Sequence, residues 1–152
     1  IVKLESVIKR RINRETWPLT GDGWNGAFHL RFGVPAKNRV GKIHNHYGRT
    51  NADSDAVETQ FGWTGLVYLS ENPKEKSGTS VWRENETSLC YSENDTVVWL
   101  DEPEADMVYE VENIYNRLVL MDSRMLHRAE NGFGLNTENA RLIQTFFFDV
   151  ER

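Results

Sequence analysis

Arg141-Leu-Ile-Gln-Thr-Phe-Phe-Phe148, close to the end of the chain, is the stretch whose reading decides the fold. It is rich in β-branched and aromatic residues and has no internal glycine or proline, which reads as a strand. Working outward, the same signature recurs in Arg117-Leu-Val-Leu-Met121 and Met125-Leu-His-Arg128. Further upstream, Thr64-Gly-Leu-Val-Tyr-Leu69 is a continuous apolar run, Thr79-Ser-Val-Trp82 follows it, and Ala27-Phe-His-Leu-Arg-Phe32 alternates. Arg39 to His46 extends toward a polar stretch rich in Asn and Asp, residues 48–58, and the charged segment 71–78 reads as a turn. Many short strands separated by turns predict a mainly β domain, a sandwich or a jelly roll of the double-stranded β-helix, cupin-like kind.

The N-terminal segment differs. Leu4, Val7, Ile8 and Ile12 recur at helical spacing, which predicts an amphipathic helix packed on the outside of the domain. Trp17-Pro18 and Gly21-Asp-Gly23 stop it. A single domain is therefore expected over residues 1–152, with residues 1–14 as a flanking helix and 26–150 as the jelly-roll core. Residues 94–106 offer little periodicity and suggest a short helix or irregular segment, and the acidic stretch 101–106 reads as a solvated loop.

The composition excludes several function classes. No apolar run approaches the roughly 20 residues that span a bilayer, so no membrane association is expected. The net charge of -5 argues against a nucleic-acid partner, since phosphate neutralisation needs clustered Lys and Arg, and Lys9-Arg10-Arg11 is too short a cluster. The single cysteine, Cys90, rules out an internal disulfide and favours a reducing, cytoplasmic location.

Two histidines two apart on an extended chain project to the same side, so His44 and His46 can reach one point in space. His127 begins another expected strand. Imidazole suits first-row transition metals, and three ligands on one side leave positions open for substrate and oxygen. The literal string His44-Asn45-His46 shares only its letters with a nuclease motif whose three residues are spread over a larger unit.

Six stretches occur in order along the chain: Ile43-His-Asn-His46, Trp63-Thr-Gly-Leu-Val-Tyr-Leu69, Gly78-Thr-Ser-Val-Trp-Arg83, Asn116-Arg-Leu-Val-Leu120, Met125-Leu-His127 and Arg141-Leu-Ile-Gln-Thr-Phe-Phe-Phe-Asp149. In order and spacing this set resembles the 2-oxoglutarate/Fe(II)-dependent oxygenases, in particular the prolyl-4-hydroxylase-like group and its bacterial and phage relatives. The resemblance implies an oxygenase using Fe(II), 2-oxoglutarate and dioxygen. It implies His44 as proximal metal ligand, His127 as distal ligand, Arg141 as the partner of the 2-oxoglutarate C5 carboxylate, and Tyr68 as a weaker candidate for a hydrogen bond to the same group.

The chain departs from the family pattern at one position, because His46 stands where an Asp is expected. Three alternatives follow: His46 itself as third ligand, Asp53 or Asp55 folding back to supply the acid, or a His-x-Gly reading of His46-Tyr47-Gly48 like that of iron halogenases. Two further functions compete with the oxygenase: a catalytically inactive jelly-roll binding module, and a cupin-type three-histidine metalloenzyme that does not use 2-oxoglutarate. Nothing in the sequence names the substrate.

Overall fold

A computed structural model describes residues 2–14, 17, 26–33, 41–47, 62–93 and 97–151. The chain passes through a helix α1 (Val2–Ile8) and strands β1 (Phe28–Arg31), β2 (Ile43–His44), β3 (Trp63–Tyr68), β4 (Thr79–Glu84) and β5 (Trp99–Leu100). A 3-10 turn (Glu102–Glu104) then leads to β6 (Ala105–Val111), β7 (Leu118–Asp122), β8 (His127–Ala129) and β9 (Arg141–Phe148). The protein is mainly β, as the strand signals predict. Its strands form two antiparallel sheets, one in the order β1-β9-β3-β7 and the other in the order β5-β2-β8-β4-β6.

Arg141 to Phe148 forms β9, an inner strand. It pairs with β3 from Trp63↔Phe148 to Tyr68↔Ile143 and with β1 from Phe28↔Gln144 to Arg31↔Arg141. In the other sheet β8 lies between β2 and β4, so His127 has His44 as its partner on one side and Val81 on the other.

The apolar side chains collect in two clusters. Leu66, Tyr68, Met121 and Ile143, with Val111, Val119 and Met125, form one. Ile43, Trp82, Leu100, Ala105 and Leu126, with Val98, form the other. Successive side chains of a strand point to opposite faces, so burying Ile43 and Leu126 in this second cluster turns His44 and His127 to the other side of the five-stranded sheet.

Several sequence expectations are corrected. The helix ends at Ile8, because Lys9 adopts the left-handed region at φ 57. Ile12 therefore leaves the helical stripe, pairs with Val150 in an isolated bridge and is fully buried. The segment 94–106, expected as a short helix or irregular, carries a short 3-10 helix and unpaired residues as expected, but also β5 and the start of β6 among the described residues. β6 lies where no strand was expected, since its residues 106–109 are exposed on both faces and carry no burial periodicity. Among the described residues, no helix is long and apolar enough to cross a membrane.

Candidate metal centre

The backbone around His44 is fixed by its neighbours. Asn45, itself buried, accepts the Val98 N–H at 2.8 Å through its side-chain oxygen and donates to the Tyr47 carbonyl at 3.0 Å. The His46 N–H donates to the Ser123 carbonyl at 2.7 Å. These bonds turn Asn45 away and leave His44 and His46 on a common side, where His127 of β8 meets them. All three ring-to-ring centroid distances are 4.8 Å. One ligand atom from each ring lies within 4.8 Å of the others.

Two of the rings are oriented by the backbone. His44 Nδ1 lies 2.8 Å from the Lys42 carbonyl and His127 Nδ1 lies 2.8 Å from the Met125 carbonyl. A carbonyl only accepts, so Nδ1 carries the proton in both rings and Nε2 keeps its lone pair, the arrangement that backbone-anchored metal-binding histidines adopt. Burial pushes the pKa of all three imidazoles down. His46 is lowered further by the charges of His127 and His44, and His127 falls to about 3, with His44 adding to the effect of burial. At neutral pH the cluster consists of three uncharged imidazoles, and such a set can hold a metal ion.

The cluster is bounded by aromatic rings from two directions. Phe147 of β9 stands edge-on to His46 at 5.1 Å, which brings the opposite sheet against the site. Trp99 of β5 stacks on His44 at 4.8 Å with an interplanar angle of 19° and is itself 53% exposed, so it forms the solvent-facing wall. Trp63 stacks on Phe148, and Trp82 lies under the Arg128 guanidinium in the second apolar cluster.

Arg141 and Tyr68 occupy a second polar cluster. The Arg141 side chain is buried; its Nε donates to the Ser77 carbonyl at 2.5 Å and its Nη2 to the Gly78 carbonyl at 3.0 Å. Its guanidinium lies 5.8 Å from the centre of the Tyr68 ring, whose hydroxyl donates to Thr79 Oγ1 at 2.8 Å. Burial lowers Arg141 to about 10, which leaves it charged at neutral pH, and burial raises Tyr68. Ser77 and Gly78 precede Val81, the partner of His127, by four and three residues. The arginine anchor is thus about 10–13 Å along β4 from the level of the histidines, at ~3.3 Å per residue.

The structure brings His44, His46 and His127 together, and it brings Arg141 to Tyr68 at a separate level of the same space between the sheets. Asp53, Asp55 and Gly48 lie outside the described residues. Two residues near these clusters were missed. Trp99 sits where the sequence has no periodicity, so no local signal marks it. Arg31 was readable, because the alternation of Ala27 to Phe32 puts it on the same face as His29. No protein-family model, no curated protein and no solved structure matches the chain.

Proposed function

We propose that the protein is a 2-oxoglutarate- and Fe(II)-dependent oxygenase of the hydroxylase type, built on a double-stranded β-helix. The observation that carries this reading is the convergence of His44, His46 and His127 beside β9, the strand that also bears buried Arg141. The strand order supports the fold: with β5 set aside as an addition at one edge, the remaining eight strands, counted in chain order, run first-eighth-third-sixth in one sheet and second-seventh-fourth-fifth in the other. Such an order agrees with an eight-stranded jelly roll. The motif order that resembles the prolyl-4-hydroxylase-like oxygenases supports the function.

Iron bound with 2-oxoglutarate and dioxygen supplies oxidation of a substrate C–H bond, a chemistry that belongs to the cofactors. The chain's own residues bind and orient. His44 and His127 present Nε2, held by the Lys42 and Met125 carbonyls. His46 takes the place of the expected carboxylate. Arg141 offers a planar cationic fork to a carboxylate, and Tyr68 holds that fork from one side. Phe147 and Trp99 keep water from the flanks of the histidines. The free, half-buried Cys90 agrees with a reducing, cytoplasmic setting.

Anaerobic titration with Fe(II) and 2-oxoglutarate tests the reading. A weak visible charge-transfer band, followed by succinate on admission of oxygen, is expected; absence of both refutes it. A second reading is favoured by one observation, that the cluster holds three imidazoles and no carboxylate among the described residues. It is a cupin-type three-histidine metalloenzyme, hydrolase or isomerase, that does not use 2-oxoglutarate. Arg141→Ala separates the two, since the oxygenase loses activity and the hydrolase or isomerase retains it.

A further inference from the structure

Strand register places two exposed aromatic residues on the histidine side of the five-stranded sheet. Trp99 of β5 pairs with His44, and directly opposed side chains share a face. On the other flank of β8, Tyr91 pairs with Met125 in an isolated bridge. Two backbone bonds frame that bridge, Ser92 N–H to the Arg124 carbonyl at 3.0 Å and Leu126 N–H to the Cys90 carbonyl at 2.8 Å. Met125 packs into the apolar cluster between the sheets, and His127, two residues further along, lies on the same face of the chain. Tyr91 therefore stands on the face that carries the histidines.

Trp99 and Tyr91 bracket the histidines from opposite sides. β2 and β8 lie between them, and three inter-strand steps of ~4.8 Å put their backbones about 14 Å apart. Trp99 is 53% exposed and Tyr91 43%, whereas His44 and His46 are half-buried and His127 is buried. The imidazoles thus form the floor of a cleft rimmed by exposed rings, and Phe147 bounds it from the opposite sheet. Aromatic side chains gain most when they are covered, and two of them left in water on either side of one cleft mark it as a place that receives a ligand. Lys42, beside β2, and Arg124, beside Met125, are engaged by Asp101 at 3.4 Å and Asp122 at 2.8 Å. Among the described residues the rim therefore meets a ligand with flat ring surfaces rather than with unpaired charge.

We propose that Trp99 and Tyr91 form the substrate-binding rim of the histidine cluster, and that the substrate presents a flat aromatic or heteroaromatic ring to it. Such a ring packs on an indole or a phenol face-to-face or edge-to-face, with centroids ~4.5–7 Å apart. A saturated ring of the same size has no such face. The inference rests on the oxygenase reading for the ring being a substrate, while the cleft itself rests on register and exposure.

NMR titration of the full chain in the presence of Zn(II) tests it, with indole as the flat probe and cyclohexanol as the saturated one. Zn(II) has no redox chemistry, so the sample does not turn over. Indole is expected to bind at least about 5-fold more tightly than cyclohexanol, as one or two aromatic pairs allow. Trp99→Leu and Tyr91→Leu, which keep an apolar side chain without a ring, should each weaken indole about 3- to 10-fold and leave cyclohexanol unchanged. Tyr91→Phe should retain indole binding, and its contrast with Tyr91→Leu decides the matter should Trp99→Leu fail to fold. Indole binding no tighter than that of cyclohexanol, or equal indole binding by the parent and either folded leucine variant, overturns the rim. If the parent still gives the charge-transfer band and succinate with Fe(II) and 2-oxoglutarate, the oxygenase reading survives that failure. Ring binding that depends on Trp99 and Tyr91, in a chain that gives neither band nor succinate, leaves the cleft standing and overturns the oxygenase.

Discussion

At one level of the space between the sheets three imidazoles gather, and at another two guanidiniums face each other. Burial acts on both groups in the same direction, pushing pKa values down. The outcomes are opposite because the starting points differ. An imidazole begins near 6.5, so a downward shift makes it neutral at pH 7 and exposes a lone pair to a metal. An arginine begins so high that even at about 10 Arg141 remains a cation. The same burial thus leaves uncharged imidazoles that could hold a metal ion at one level and retained positive charge at the other, through the choice of side chain alone.

Breaking the histidine end should give the largest effect. His127→Ala removes the ring that pairs with His44 and is anchored at Met125, and is expected to weaken Zn(II) or Co(II) binding by more than about 100-fold, beyond the range seen for loss of a mere outer-shell partner. Calorimetric metal titration checks this. Gly78→Ala attacks the arginine end through the backbone. A Cβ there would overlap the Val111 carbonyl oxygen, so the Ser77–Gly78 segment that anchors Arg141 must shift. A loss of about 1–3 kcal/mol in urea unfolding is expected, as for overpacked sites.

Tyr68→Phe is a finer probe of the same end. It deletes the buried hydroxyl that donates to Thr79 and should cost about 1 kcal/mol in the same unfolding experiment, with metal affinity unaltered. The smallest effect is a pH dependence confined to the histidine end. In the metal-free protein the folded state holds His127 near 3 while the unfolded chain titrates near 6.5, so the unfolded state binds more protons between these values. Stability is then full above pH 6.5 and falls as pH is lowered toward 3. From pH 7.5 to 6 each such histidine should contribute under about 1 kcal/mol of loss. Urea midpoints across that window check the sign, and a rise in stability on acidification would contradict it.

Much of the fold was legible because the strands carry local signals. Arg141 to Phe148 and Thr64 to Leu69 are runs whose composition specifies extended backbone wherever they are placed. Ile12 misled, since helical spacing continues through it while the backbone turns at Lys9 and sends it to Val150. β6 carries no burial periodicity because it is an edge strand with exposed faces, paired only to β4. Boundaries at β2 and β8 were shorter than expected, because pairing partners end there rather than because the sequence changes.

The candidate site divides along the same line. The sequence by itself determined that His44 and His46 share a side, by the two-residue period of an extended chain, and that Arg141 opens a strand. Only the tertiary structure decided that His127 stands opposite His44, that its ring meets those of His44 and His46, and that Arg31 pairs in register with Arg141. Such pairings are set by strand register, which depends on every contact along β1, β2, β8 and β9 at once and leaves no trace in any single stretch of residues.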